Sequence, residues 1–202
     1  MSKIKPLVTI REQIADSLRS DIFSGAVQPG ERIREEVLAE KFGVSRGPIR
    51  DVLLQLNKEG LLSSKPNCGV TVNHQLPPKL HSIVRALRLK LETEAVKLLR
   101  GSLTKEDVSV LRGIIEKLHT ALKEERFTEA TEMDLAFHRY LVNKAGGEDL
   151  VNVWISVALR MRIDYQRITK PKESYDEHRA ILDALEVGDT KRAIKALKDN
   201  IR

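Results

Sequence analysis

The sequence predicts a mainly α-helical protein in two parts, an N-terminal winged helix-turn-helix of three helices plus a small β-hairpin and an all-α six-helix bundle domain. Three observations predict this fold. Aromatic residues make up only 4% of the chain, whereas Leu, Ala, Glu, Lys and Arg, which favour helices, are abundant. Apolar residues recur at helical spacing along most of the chain. Clusters of Pro and Gly divide these stretches into separate elements.

The first predicted helix covers residues 9–25. Thr9 and Glu12 have the spacing of a capping box, and apolar residues then recur at every fourth position until Gly25 ends the helix. A Gln-Pro-Gly-Glu turn follows, with a short apolar element around Ile33. The next predicted elements are helices at 34–42 and 45–58 and hairpin strands at 61–64 and 70–73.

The two helices at 34–42 and 45–58 have the spacing of a helix-turn-helix. Ala39 is small enough for close helix contact, Gly43 tolerates the positive φ of the turn, and Ile49 turns an apolar side chain toward the first helix. Such a motif presents the N-terminus of its second helix to a DNA major groove. Arg46 and Arg50 lie one turn apart there, and arginine suits guanine or phosphate. We therefore predict a winged helix-turn-helix DNA-binding domain over residues 1–74.

Composition excludes several classes of protein. Hydrophobic residues make up 41% of the 202 residues, too many for a disordered chain. The longest nearly apolar stretch, 150–159, is far shorter than the roughly 20 residues that a membrane-spanning helix needs. The first residues lack the apolar segment of a secretory signal, and a single cysteine, Cys68, permits no internal disulfide. These observations predict a cytoplasmic protein without a membrane partner.

The net charge of +6 does not locate the DNA-binding part. Residues 1–74 carry 11 Lys and Arg against 9 Asp and Glu, so this part is barely basic. The placement of a few arginines, rather than bulk charge, is what predicts contact with nucleic acid.

Residues 75–79 are predicted to form a linker because two prolines interrupt regular structure there. The chain from residue 80 to residue 202 is predicted to be helical, with breaks at Gly-Gly, Lys-Pro-Lys and Gly-Asp sequences. The expected helices lie at about 79–100, 104–124, 126–145, 148–169, 174–187 and 189–202.

Four polar residues in the helical part are candidate metal ligands. Asp134 and His138 are spaced i, i+4 and share one helix face. His178 and Asn200 lie at similar distances from the Gly-Asp turn between the last two helices, which brings them level if these helices pack antiparallel. Together these side chains suit zinc, nickel or manganese. A local hydrogen bond between Asp134 and His138 is the alternative interpretation.

The segment FSGAVQPGERIREEVLAEKFGVSRGPIRDVLLQLNKEGLL, followed by KPNCGVTV, resembles the winged-helix domain of the GntR family of bacterial transcription regulators. The resemblance implies that three arginines contact operator DNA and that the wing approaches the minor groove. It also implies that Ser45, Gly47 and Pro48 shape the N-terminus of the recognition helix. The implied DNA-binding residues are Arg34, Ser45, Arg46, Gly47, Pro48, Arg50, Asn67 and Gly69.

Residues 80–202 resemble the FCD ligand-binding domain of the FadR-like branch of that family. The resemblance rests on the segments RLKLE at 88–92, DLAFH at 134–138, EHRAILDAL at 177–185 and GDTKRA at 188–193. In the family an Asp and three His bind a metal, which holds an organic-acid effector together with an arginine. Asp134, His138 and His178 match the first three ligand positions, and Arg88 matches the arginine. Asn200 stands where the family has its last His and would ligate a metal more weakly.

We therefore predict a ligand-responsive transcription regulator, a repressor that binds a pseudo-palindromic operator as a homodimer and senses a small carboxylate, with a divalent metal as its cofactor. The first alternative is a metal-dependent enzyme that uses the winged helix as a DNA tether. It is disfavoured because no general base accompanies the candidate ligands. The second alternative is an effector-free architectural DNA-binding protein, favoured if Asn200 disables the site.

Two further groups of residues complete the prediction. Leu87, Leu91, Ala95 and Leu98 have helical spacing and are expected in the core, and Trp154 is expected in the core or at a dimer interface. A group of basic residues is expected on a solvated face of the helical domain: Arg160, Arg162, Arg167, Lys170 and Lys172.

Overall fold

The computed structural model of the chain describes residues 9–65, 69–163 and 171–201. The chain divides into two compact units between Gln75 and Leu76. The elements of the first unit are α1 (Ile10–Ser24), β1 (Arg32–Ile33), α2 (Glu35–Phe42), α3 (Arg46–Lys58), β2 (Leu62–Lys65) and β3 (Gly69–Val72). Those of the second unit are α4 (Pro78–Leu98), α5 (Lys105–Lys123), α6 (Phe127–Ile163), α7 (Pro171–Glu186) and α8 (Thr190–Asn200). The predicted mainly α fold is confirmed.

Local sequence signals fix the starts of two helices. The Thr9 hydroxyl accepts a hydrogen bond from the backbone N–H of Glu12, and the Glu12 carboxylate accepts one from the backbone N–H of Thr9. Thr104 and Asp107 form the same reciprocal pair at the start of α5. Each pair satisfies backbone donors that would otherwise lack an intrahelical partner, so these ends are determined by four residues in sequence.

The three helices of the first unit enclose an apolar core. Ile14, Leu18 and Ile22 of α1 are buried, as the spacing of four predicted, and so are Ile49 and Leu56 of α3. Further buried apolar residues of this unit lie in α2, in the middle of α3, directly before β2 and in the strands of the wing: Leu38, Val52, Leu53, Leu61, Leu62 and Val72.

The wing contains one more strand than the sequence predicted. β2 and β3 form the expected antiparallel hairpin, with Leu62 opposite Val72. β1 pairs with the other edge of β3, so the strand order is β1-β3-β2. A strand of two residues has too short a pattern to be recognised, and only the apolar element around Ile33 indicated it.

The second unit is a helical bundle in which α6 is interrupted. Gly146 (φ −144°, ψ 16°) and Gly147 (φ 63°, ψ −163°) have non-helical backbone, so α6 consists of two helical segments that meet at these glycines. The six predicted helical segments are therefore present in the described residues. Gly147 occupies a region that is essentially restricted to glycine, which explains why the break falls there.

The expected core stripe on α4 is only partly correct. Ala95 is fully buried, but Leu87 and Leu98 have exposed fractions of 51% and 66%. Leu91 is partly buried. Trp154 is fully buried, which places it in the core rather than at a surface. Helical spacing alone cannot distinguish an apolar face that packs within the chain from one that is left on its surface.

None of the helices in the described part of the chain combines the length and the apolar composition required to cross a membrane.

Candidate functional site

The start of α3 is the candidate DNA interface of the first unit. Gly43 has a left-handed backbone (φ 63°) in the turn before it. Ser45 occupies the N-cap position of α3, but its side chain makes no capping hydrogen bond. Gly47 is exposed and Pro48 is partly buried. A Cβ at Gly47 would meet only the Ser45 hydroxyl, at 3.9 Å, so a larger residue would fit there.

Two arginines of α3 form ion pairs with the first turn of α2. Arg50 Nε donates to Glu35 Oε2 at 2.8 Å, and Arg46 Nη1 lies 3.2 Å from Glu36 Oε1. Both arginine side chains are more than half exposed. The hydrogen bond from Arg50 to Glu35 raises the pKa of Arg50. The acidic turn of α2 therefore orients both guanidinium groups while leaving their other donors accessible.

The base of the wing holds a third exposed arginine that the sequence did not indicate. Gly69 has a φ of 76°, and a Cβ there would lie 3.0 Å from Nε of Arg32 in β1. The Arg32 guanidinium thus packs against the backbone of Gly69. Arg34 is exposed and occupies the N-cap position of α2. Asn67, the other predicted wing contact, lies outside the described residues.

The second unit contains a buried polar cluster of Asp134, His138 and His178. Asp134 and His138 lie one turn apart on α6, and His178 comes from α7. Each offers a ligand atom, and these atoms all lie within 4.8 Å of one another. Both histidines are fully buried, and Asp134 is 5% exposed. The structure thus brings together three of the four predicted ligand residues.

A buried carboxylate determines which nitrogen of His138 faces the cluster. Nδ1 of His138 lies 2.5 Å from Oε2 of Glu92 on α4. Glu92 Oε1 accepts hydrogen bonds from Arg88 Nε and from Trp154 Nε1, each at 2.7 Å. An ionised carboxylate can only accept a hydrogen bond. Nδ1 of His138 therefore carries the proton, and Nε2 keeps its lone pair. Among the described residues Nε2 is buried without a hydrogen-bond partner.

His178 is oriented in the same way by the backbone. Its Nδ1 donates to the carbonyl oxygen of Ser174 at 2.7 Å, which leaves Nε2 with the lone pair. That Nε2 lies 3.4 Å from Oδ1 of Asp134. Asn200 Nδ2 lies 3.5 Å from Nδ1 of His178 and 3.3 Å from Oε2 of Glu177. Asn200 is therefore a neighbour of the cluster, and its contacts are on the Nδ1 edge of His178.

The protonation states suit metal ligation. Burial lowers the pKa values of His138 and His178 to about 4, so both imidazoles are neutral at pH 7. Burial alone would raise the pKa of Glu92, but His138 and Arg88 lower it below its usual range, so Glu92 is ionised. Neutral imidazole and carboxylate are the forms that bind divalent metals.

Two buried arginines flank the cluster. Arg88, the predicted effector-binding residue, is 3% exposed, and its Nη2 lacks a hydrogen-bond partner within the described ranges. Arg162 is 4% exposed, and its Nη2 pairs with Oδ2 of Asp134. The expected solvated face is therefore wrong for Arg162. Arg167 and Lys170 of the same predicted group lie outside the described residues.

The residues present fit a metal. Two imidazole Nε2 atoms and the Asp134 carboxylate converge in a buried site, and each histidine is fixed through its other nitrogen, as in known metal sites. Sequence reasoning missed Trp154 and Arg162 as neighbours of this cluster, although Glu92 lay within a segment singled out from the sequence. The contacts involved join residues up to 62 positions apart, which spacing along one helix cannot indicate.

Comparison with known proteins gives two family matches. The model of the bacterial regulatory proteins of the gntR family matches residues 10–72, and that of the FCD domain matches residues 84–202.

Individual relatives agree with these matches. An HTH-type transcriptional regulator of Bacillus subtilis, YdhC, is 32% identical over 142 residues, which cover 70% of this chain and 63% of that protein. The gluconate operon transcriptional repressor of Bacillus licheniformis is 26% identical over 203 residues, covering 93% of this chain and 80% of the repressor. The solved structure of Escherichia coli McbR/YncC has a TM-score of 0.81 at 24% identity and covers 96% of this chain and 94% of that one.

Proposed function

Since the chain belongs to the gntR family of bacterial regulatory proteins and carries an FCD domain, we propose that it is a repressor whose helical unit binds a small carboxylate with the help of a divalent metal. Membership of this family makes the chain a DNA-binding transcription regulator and not an enzyme. The proposal adds the effector class, the metal, the dimer and a cytoplasmic location.

The proposed DNA contacts are those of α3 and the wing. Arg46 and Arg50 are exposed at the start of α3 and held by Glu36 and Glu35. We assign the major groove to these arginines and the backbone phosphates to Arg34 and the open N-terminus of α3, including Ser45, Gly47 and Pro48. Gly69 and the remainder of the wing, with Asn67, are assigned to the minor groove.

One observation supports effector binding most directly. Nε2 of His138, Nε2 of His178 and Nη2 of Arg88 are buried polar atoms without hydrogen-bond partners in the described part of the chain. A buried polar atom without a partner costs about 1–3 kcal/mol, so native proteins seldom keep several together unless something binds there. The two imidazoles and Asp134 would hold the metal, and Arg88 would pair with the carboxylate. The name of the gluconate operon repressor is consistent with a sugar acid as one candidate class.

We assign dimerisation to the exposed face of α4. Leu80, Ile83 and Leu87 are spaced i, i+3, i+7 and are 47%, 55% and 51% exposed, so they form an apolar stripe along one side of the helix. A second copy of the chain is the partner that a pseudo-palindromic operator requires, because one recognition helix reads only a short half-site.

The test combines metal analysis with ligand screening on the full chain. Purified protein is analysed for zinc, nickel and manganese and then screened by thermal shift against sugar acids and dicarboxylates. His138→Ala should lose the metal and the acid-induced shift while still binding operator DNA in footprinting. His119→Ala is the matched control, because His119 stacks on Tyr175 on α7 and does not belong to the cluster. A His138→Ala variant that keeps stoichiometric metal would contradict the assignment.

An effector-free architectural DNA-binding protein is the second candidate. It is favoured by Asn200 in place of the family's histidine and by the ion pair between Asp134 and Arg162. The same screen separates the two: specific operator binding with neither metal nor any acid-induced shift would support the second candidate.

A further inference from the structure

Two buried ion pairs lie at the proposed metal site. Arg88 pairs with Glu92, and Arg162 pairs with Asp134. A divalent cation would add two positive charges beside these two buried guanidinium groups, where Coulomb repulsion is poorly screened.

Asp134 is the carboxylate of the buried cluster, and its two oxygens have different partners. Its Oδ1 faces Nε2 of His178 at 3.4 Å, on the side where a metal would be held. Its Oδ2 pairs with Nη2 of Arg162. A guanidinium is permanently charged and cannot release its partner by losing a proton. The anionic ligand is thus already engaged by a cation that belongs to the chain itself.

We propose that Arg162 competes with the metal for Asp134 and so lowers the affinity of this site for divalent cations. The inference rests on the proposed metal site and goes beyond it by naming the residue that sets its affinity. An ordinary positioning residue that oriented Asp134 for the metal would have the opposite effect when removed, because the ligand would then be left less ordered. The sign of the change therefore distinguishes the two roles.

The experiment measures Zn²⁺ affinity by competition with a chromophoric chelator, and coordination by the visible absorption of bound Co²⁺. Arg162→Gln removes the charge and keeps a polar side chain, and we expect it to tighten Zn²⁺ binding by about tenfold or more. Arg162→Lys keeps the charge and should stay close to the wild-type affinity. Unchanged or weaker binding in Arg162→Gln would overturn the proposal.

Two further arms locate the effect and guard against misfolding. Asp134→Asn combined with Arg162→Gln should lose the gain, and a double variant that still binds as tightly as Arg162→Gln would refute competition at Asp134. NMR of ¹⁵N-arginine-labelled wild-type protein needs no folded variant. Saturating Zn²⁺ should shift the Arg162 Nε–H resonance, and an unmoved resonance in a Zn²⁺-saturated protein would also overturn the proposal.

The outcome also separates this proposal from the proposed function. If wild type binds Zn²⁺ tightly and Arg162→Gln binds it equally well, competition by Arg162 is refuted but the proposed metal site is not. Absence of Zn²⁺ binding in wild type and in Arg162→Gln would refute both competition and the metal part of the proposed function.

Discussion

Glu92 is the residue on which the geometry of the buried cluster depends most. Its carboxylate accepts from Arg88, Trp154 and His138, and so ties α4 to both segments of α6. By holding Nδ1 of His138 it also selects the nitrogen that faces Asp134. A residue that touches neither DNA nor the proposed metal thus determines the shape of the site.

We expect Glu92→Gln to weaken metal binding by about tenfold to a hundredfold. The amide oxygen of Gln accepts a weaker hydrogen bond from His138 Nδ1 than the carboxylate does, so the imidazole would be held less firmly. Zn²⁺ affinity of the purified variant measures this effect. Glu94→Gln is the control, since Glu94 lies on the same helix but is partly exposed and pairs with Lys90 and Lys97 at the surface. Equal losses in both variants would show that the effect is not specific to the cluster.

Asp107 gives a pH-dependent contribution to stability. Hydrogen bonds from the Thr104 backbone and the Tyr140 hydroxyl, with Lys144 at 3.0 Å, hold the pKa of Asp107 well below its usual range. A carboxyl with a lowered folded-state pKa contributes stability above its unfolded pKa of about 4, and this is lost as the pH falls through the folded value. Asp107→Asn should therefore destabilise the second unit by about 1–3 kcal/mol at pH 7.

Urea unfolding of wild type and Asp107→Asn at a series of pH values checks this prediction. The difference between the two proteins should begin to shrink below about pH 4, where the Asp107 carboxyl of the unfolded chain becomes protonated, and should disappear as the pH falls through the lowered pKa of the folded protein. A difference that is constant across pH would mean that packing, rather than charge, accounts for the loss.

At the scale of elements, α2 and α3 act together. The first turn of α2 supplies Glu35 and Glu36, which pair with Arg50 and Arg46. These exposed pairs add little stability by themselves. Their main effect is to orient the two arginine side chains at the start of α3, the helix that is assigned to the major groove.

We expect Arg46→Ala to weaken specific operator binding by about 1–3 kcal/mol if Arg46 contacts a base. Binding to unrelated DNA should fall much less. Fluorescence anisotropy with operator and scrambled duplexes at matched salt measures both affinities. Lys123→Ala, a basic residue of α5 in the second unit, is the control for net charge. Unchanged operator affinity in Arg46→Ala would remove this residue from base readout.

Sequence predicted elements best where the signal was local. The capping box of Thr9 and the break at the Gly146-Gly147 pair depend on a few neighbouring residues, and each is present. The spacing of Asp134 and His138 likewise indicated a shared face, and both lie in the buried cluster. The sequence did not predict which helix faces are covered by another element and which remain exposed.

Arg162 and Leu87 illustrate the two opposite errors. Arg162 belongs to a basic stretch that resembles a solvated face, but it is buried because Asp134, on the other segment of α6, offers a charge partner. Leu87 has core periodicity but is half exposed, because no other element described in the second unit covers that side of α4. Periodicity reports that a face is apolar and is silent on what covers it.

The exposed face of α4 belongs to the scale of the whole molecule. Leu80, Ile83 and Leu87 form a continuous apolar patch on the surface of α4. Exposing this patch to water costs free energy, and burying it against a second copy of the chain would remove that cost. A dimer would also bring two winged helices to one operator. In the proposed dimer, this surface would therefore connect stability with DNA affinity.

We expect Leu87→Lys to shift the protein from dimer to monomer, because two lysines would meet at a symmetric apolar interface and lose hydration there. Sedimentation velocity at several protein concentrations measures the association.

Operator affinity should fall by about a hundredfold or more, since the two half-sites would then be bound independently. Val110→Lys is the matched control, because Val110 is also an exposed apolar residue (46% exposed) but lies on α5 and not on the proposed face of α4. A Leu87→Lys protein that remains a dimer with wild-type operator affinity would place the interface elsewhere. If it becomes monomeric and still binds the operator with wild-type affinity, the link between dimerisation and DNA binding is wrong.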